Sequence, residues 1–169
     1  MPSPRTAVII ATKGRPEATK QLLRMLENQT LAPSVVVVSA TERADINGPL
    51  ESSLNVQYIF GSAGLSHQRN RALAKIRDCS DIVIFFDDDF APSPTWLEHC
   101  EAAFSSEHGV VGMSGRILLD GAKGDEISWQ EAKGLISDAL PETLGASMFR
   151  ERSGLMGAIL LFGHRPSEI

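Results

Sequence analysis

Cysteine is scarce in this 169-residue chain: only Cys79 and Cys100 occur, and neither has a second Cys or His at zinc-finger spacing. That argues against a disulfide-stapled scaffold and a cysteine-built zinc site, and a reducing, cytosolic compartment suits the pair. Positive charge is short as well. Lys and Arg number 16 against 21 Asp and Glu, the formal net charge is -5, and the basic residues form no run. Broad electrostatic binding to nucleic acid therefore has no footprint here. No apolar run approaches the ~20 residues that a membrane-spanning helix needs, so no transmembrane segment is expected. The opening Met1-Pro2-Ser3-Pro4-Arg5 runs straight into a short apolar strand, without the charged start, long apolar stretch and small-residue cleavage site of a secretory leader. Internal repeats and low-complexity segments are absent too, and a chain of this length and 43% apolar content is expected to bury one core as a single domain over residues 1–169.

What is present is an alternation of buried strands and helices. Residues 6–12 are β-branched and nearly all apolar, as in a strand covered on both faces of a parallel sheet. Pro16 suits the first turn of a helix running from Glu17 to about Gln29, with Leu22, Leu23, Met25 and Leu26 as its apolar stripe. Residues 34–38 make a second buried strand, residues 39–53 a polar loop, and residues 56–60 a third strand. Gly61 and Gly64 open a helix from about Leu65 to Ile76, and a fourth strand, residues 82–86, ends in Asp87, Asp88 and Asp89. A helix follows from about Pro94 to Phe104, then a fifth strand over residues 110–115 and a short helix around Trp129 to Ser137. Such alternation implies an α/β fold with a mostly parallel sheet, whose ligands bind beyond the carboxyl ends of the strands. Thr12, Ser39 and the three aspartates all lie at such ends.

Three consecutive carboxylates repel one another unless something positive offsets them. A hard divalent cation does so, and Mg²⁺ typically takes one or two carboxylates together with substrate phosphates. The competing reading is a solvated acidic loop favoured by the N-terminus of the next helix. The position at the mouth of a buried strand tips the balance to metal. Arg69 and Asn70 sit early in a helix after a Gly-containing turn, where backbone N–H groups and a guanidinium can meet an anion. Solvated helix face is the alternative for Arg69 and Arg71, and polar packing beneath the aspartate loop is the alternative for Asn70. His67 is read as a surface residue. Lys13 and Arg15 are read either as phosphate contacts or as exposed loop residues.

Three strings then occur in order: Ala11-Thr12-Lys13-Gly14-Arg15, Gly64-Leu65-Ser66-His67-Gln68-Arg69-Asn70-Arg71-Ala72-Leu73, and Phe85-Phe86-Asp87-Asp88-Asp89. Together they resemble the family-2 glycosyltransferases, over about residues 6–118. The resemblance implies a GT-A-type nucleotide-diphospho-sugar transferase fold, Rossmann-like, with a mostly parallel sheet flanked by helices. It further implies inverting transfer of a sugar from a nucleoside diphosphate (UDP-, GDP- or TDP-linked) to a saccharide or lipid-linked acceptor, assisted by Mn²⁺ or Mg²⁺. Polysaccharide biosynthesis, in the cytoplasm or peripherally at the inner face of the membrane, is the usual setting of such enzymes. By the same resemblance Asp89 and Asp87 hold the metal, with Asp89 the more direct ligand. Thr12, Arg15, Arg69, Asn70, Asp87 and Asp88 surround the donor.

Two departures from the family pattern stand out. The second strand there commonly ends in an aspartate that holds the base or ribose, whereas here it ends Val38-Ser39-Ala40-Thr41, leaving Glu42 or Asp45 as substitutes. At the other end, the segment over residues 119–169 reads as an incomplete acceptor side, so the domain is expected to be C-terminally truncated and its catalytic base is not identified. Asp120, Asp125, Glu126 and Glu131 are the carboxylates left to choose from. The string Leu155-Met156-Gly157-Ala158-Ile159 can be encoded so that a shifted reading frame gives Tyr-Gly-Cys-Asn, similar to the family's acceptor-side motif, so a frameshifted or truncated gene is the expectation. The apolar stretch over residues 155–162 is expected to lack a covering element and so to promote self-association. The rival readings are a metal-dependent nucleotidyltransferase, a phosphorelay receiver domain, and a catalytically inactive nucleotide-binding or assembly subunit. The short Lys13-Gly14-Arg15-Pro16 loop disfavours the first, and the lack of acidic residues just after strand one disfavours the second.

Overall fold

A computed structural model describes residues 3–48, 51–106, 110–114, 128–138, 147–150 and 161–163, the last two segments and 136–138 by their backbone alone. Strand β1 (Thr6–Ala11) is buried along its whole length and is flanked in parallel by β2 (Val35–Ala40) and β4 (Ile82–Asp87). Beyond β2 lies β3 (Val56–Phe60), and beyond β4 lies β7 (Leu161–Gly163), giving the order β3-β2-β1-β4-β7. All four pairings are parallel.

The two-residue period of β1 divides its side chains between two cores. Val8 and Ile10 pack on one face with Leu22, Leu23 and Leu26 of helix α1 (Pro16–Glu27) and with Leu97 and Cys100 of helix α3 (Trp96–Ser106). Ala7 and Ile9 pack on the other face with Ala72 and Ile76 of helix α2 (Leu65–Ile76). A strand covered on both faces must be apolar at every position, which is why these strands read as unbroken runs. Cys100, deep in the first core, has its thiol pushed up to about 12 by burial. Helix α1 begins with Pro16 in its first turn, where the missing N–H costs nothing, and ends with Arg24 in its last turn, favourable to the helix dipole.

Two features differ from the sequence expectation. The second strand runs on through Ser39 and Ala40, and a 3-10 turn, Arg43–Asp45, interrupts what reads as plain loop. The fifth strand, β5 (Val110–Ser114), pairs antiparallel with β6 (Ser147–Arg150) in a separate two-stranded ribbon and does not join the parallel sheet. A five-residue apolar run carries no information about which sheet it joins. Of the apolar stretch expected to lack a covering element, residues 161–162 fall in β7, whose backbone pairs with β4 through residues 161–163. Residues 155–160 lie outside the described residues, as do Asp120, Asp125 and Glu126. Helix α4 (Trp129–Asp138) begins at a capping box in which Glu131 accepts from the Ser128 N–H and hydroxyl, both at 2.8 Å. No helix among the described residues is long and apolar enough to cross a membrane.

Candidate functional site

The carboxyl ends of β2, β1 and β4 lie side by side, with Ser39 opposite Ala11 and Ala11 opposite Asp87. Backbone groups leaving a sheet need new partners. Here Thr12 N donates to Ser39 O at 3.1 Å, and the buried Gln68 amide donates to both Thr12 O (2.7 Å) and Ser39 O (2.8 Å). Gln68 shares the buried stripe of α2 with Ala72 and Ile76, so the helix that covers one face of the sheet also ties two strand ends. Stacked Phe86 and Phe90, with Trp96 edge-on to both, brace the turn that carries the aspartates.

The three aspartates face different surroundings. Asp88 is fully buried; its Oδ2 accepts from the Thr12 hydroxyl at 2.6 Å, and that hydroxyl accepts from Thr19 at 2.9 Å. Burial pushes the Asp88 carboxyl above its usual range, against the opposing pull of Thr12 and Arg15. Arg15, at the N-terminal boundary of α1, bridges two carboxylates. Its Nη1 donates to Asp89 at 2.6 Å, while its Nη2 faces Asp88 Oδ1 at 2.6 Å as a charge contact without hydrogen-bond alignment. Partial burial works against the Arg15 charge, but Asp88 and Asp89 outweigh it and hold the guanidinium above its ordinary pKa. Asp87, the last residue of β4, pairs with Arg69 at 2.7 Å, and the Arg69 guanidinium lies 5.7 Å from the centre of the Phe85 ring. The Arg69 side chain is 13% exposed, which rules out a solvated helix face.

Thus Thr12, Arg15, Arg69 and Asp87–Asp89 come together at one mouth of the sheet. Thr12 and Asp88 point inward and hold each other, so they form the floor, while Asp89, at 41% exposure, is the carboxylate most open to solvent. Asn70 is exposed on α2 and has no polar partner among the described residues, so it does not pack beneath the aspartate loop. Lys13 and His67 are exposed.

Three residues of this region have partners that a reading by sequence does not give. Gln68 is one. Asp45 is another: its buried carboxylate accepts from Gly14 N (2.7 Å), Thr41 N (2.7 Å), Thr41 Oγ1 (2.5 Å) and Glu42 N (3.0 Å). Desolvation would raise its pKa, but these hydrogen bonds prevail and bring it to about 2. Both oxygens of Asp45 are thereby engaged by the chain itself, and it fixes the loop after β1 in which Gly14 adopts a left-handed φ of 68°. It does not stand free to hold a base or ribose. Arg71 is the third. It donates to Ser39 Oγ and Ala40 O at 3.1 Å, filling the end of β2 where the sequence lacks an aspartate. A Cβ at Gly61 would lie 2.6 Å from Arg71 Nη1, so a larger residue there would make the guanidinium shift.

Among the described residues no three His, Cys, Asp or Glu side chains converge into a ready-made metal cage. Asp89 and Asp87 offer the hard carboxylate oxygens that Mg²⁺ takes when it shares its coordination with phosphate, each now paired with an arginine, Arg15 and Arg69. No curated protein matches the chain. The sequence model described as glycosyl transferase family 2 matches residues 7–153, a span that holds the whole of this mouth. With helices on both faces of a parallel sheet and the aspartates at its carboxyl edge, the architecture is the GT-A-like, Rossmann-type fold, and the chain belongs to glycosyl transferase family 2.

Proposed function

We propose that this mouth binds a nucleoside diphosphate sugar and that the sugar passes to an acceptor hydroxyl with inversion, by direct displacement. The observation that supports it is the convergence of two arginines and three aspartates at the carboxyl ends of β1 and β4. The sheet order reverses direction there, with β2 to one side of β1 and β4 to the other, and open α/β sheets bind their ligands at such switch points. Asp89 and Asp87 would hold Mn²⁺ or Mg²⁺, which when bound offsets the charge developing on the departing diphosphate. Arg69 and Arg15 supply charge-assisted hydrogen bonds to the same diphosphate. Thr12 and Asp88 support the floor beneath it, and Asn70 extends the donor contacts along α2. The acceptor is a saccharide or lipid-linked hydroxyl, in a reducing compartment at or near the inner face of a membrane.

Calorimetric titration with UDP, GDP and TDP, with and without Mn²⁺, tests this reading. At least one of the three should bind only when the metal is present. In Asp89→Ala that metal-dependent binding should vanish while the fold is retained. Parental binding of nucleotide and Mn²⁺ by Asp89→Ala would refute the metal assignment. Arg69→Ala should bind more weakly by about 1.5–3 kcal/mol, the worth of a hydrogen bond to a charged group.

A further inference from the structure

We infer that Arg15 holds the Asp89 side of the cation's place in the free protein, with Arg69 on Asp87, and that Arg15 moves onto the diphosphate when the metal arrives, an inference that rests on the metal reading above. Its two terminal nitrogens contact two successive carboxylates, each at 2.6 Å, so one guanidinium neutralises both Asp88 and Asp89. Arg15 Nη1 is hydrogen-bonded to Asp89 Oδ2. An ion that takes Asp89 Oδ2 has to displace Nη1, and one that takes Oδ1 meets the repulsion of the guanidinium beside it. The contact is built to yield: the Arg15 side chain is 47% exposed, its bond to Asp88 is unaligned, and the residue belongs to a loop whose turn is made by Gly14. The displaced guanidinium has a destination beside it. A diphosphate bridging the same ion brings its own negative charge to the start of α1, whose first turn has no side-chain cap. Arg15 is thus a positioning residue that opposes the metal alone and favours the metal together with a diphosphate, which makes the two bind cooperatively.

The two halves of this hand-over carry opposite signs, and the test exploits that. Mn²⁺ alone, followed by electron paramagnetic resonance of the free ion, is titrated into the full chain and its Arg15→Gln, Arg15→Lys and Asp89→Ala variants. Inorganic pyrophosphate is then titrated in the presence of Mn²⁺. Thermal unfolding confirms that each variant is folded. Arg15→Gln should bind Mn²⁺ alone about threefold or more tighter, the scale of one partly exposed charge pair, and pyrophosphate with Mn²⁺ weaker by a similar factor. Arg15→Lys, which keeps the charge, should stay near the parent in the Mn²⁺ titration. Unchanged or weaker Mn²⁺ binding by Arg15→Gln overturns the placeholder role, and so does a gain in Arg15→Lys equal to that in Arg15→Gln. Unchanged pyrophosphate binding overturns the hand-over. If Asp89→Ala retains Mn²⁺, the metal reading itself falls. If Asp89→Ala loses Mn²⁺ and Arg15→Gln gains none, only the present inference falls.

Discussion

Asp88 and Asp89 are neighbours in sequence with opposite surroundings, one fully buried and one 41% exposed. Substitution should separate them. Asp88→Ala removes the acceptor for the buried Thr12 hydroxyl and empties the floor, so it should destabilise the fold by about 1–3 kcal/mol. Asp89→Ala removes one member of a repelling cluster at the surface, and its unfolding temperature should hold or rise. A fall in Asp89→Ala as large as that in Asp88→Ala would show that Asp89 is structural. Asp45 makes a separate prediction about pH. Its folded pKa of about 2 lies below the ordinary 3.8, so its contribution to stability is fully present above about pH 4. Stability should be lost as pH falls from there toward 2. In urea titrations across that range, Asp45→Asn should be less stable than the parent at pH 6 by about 3 kcal/mol, and the gap should shrink on acidification. A constant gap would mean that the carboxylate charge plays no part.

At the scale of elements, the strand ends depend on α2 as much as on their own ladders. Gln68→Leu keeps the buried volume but leaves the Thr12 and Ser39 carbonyls without the amide, so it should cost about 2–4 kcal/mol. Chemical denaturation reads that loss directly, and parental stability would show that water replaces the amide. Such a contact is hard to see in a sequence, because Gln68 lies 56 residues from Thr12 and 29 from Ser39. A polar residue in step with Ala72 and Ile76 is the one local clue. The partners of Asp45 and Arg71 are illegible for the same reason, being set by which strands neighbour each other. The elements themselves were more legible. The bounds of β3 and α2 are those that the alternation of apolar runs and glycines dictates, and Pro16 marks the start of α1. The end of β2 was misjudged because Ser39 and Ala40 look like loop residues, though both are buried in the ladder. The three aspartates announced themselves by their unfavourable repulsion, but the pairing of Arg15 with two of them and Arg69 with the third needed the folded chain.

For the molecule as a whole, binding and stability are linked through the same mouth. A ligand that binds only the folded chain stabilises it by RT ln(1 + [L]/Kd), about 2.7 kcal/mol at a hundredfold excess over Kd. In a domain of this size each kcal/mol moves the unfolding midpoint by roughly 2–4 °C, so saturating nucleotide with Mn²⁺ should raise it by about 5–10 °C. The separate components should do far less. Mn²⁺ alone meets the Arg15 guanidinium already seated between Asp88 and Asp89, and a nucleoside diphosphate alone brings its charge to a chain of net charge -5 and a mouth lined by three carboxylates. Each component removes the obstacle to the other. The shift with both present should therefore exceed the sum of the two separate shifts, and the excess should disappear in Asp89→Ala. Thermal scans in four conditions, with neither component, each alone and both together, decide it. Additive shifts would mean that metal and nucleotide occupy independent sites, and the coupling argued for this mouth would be lost.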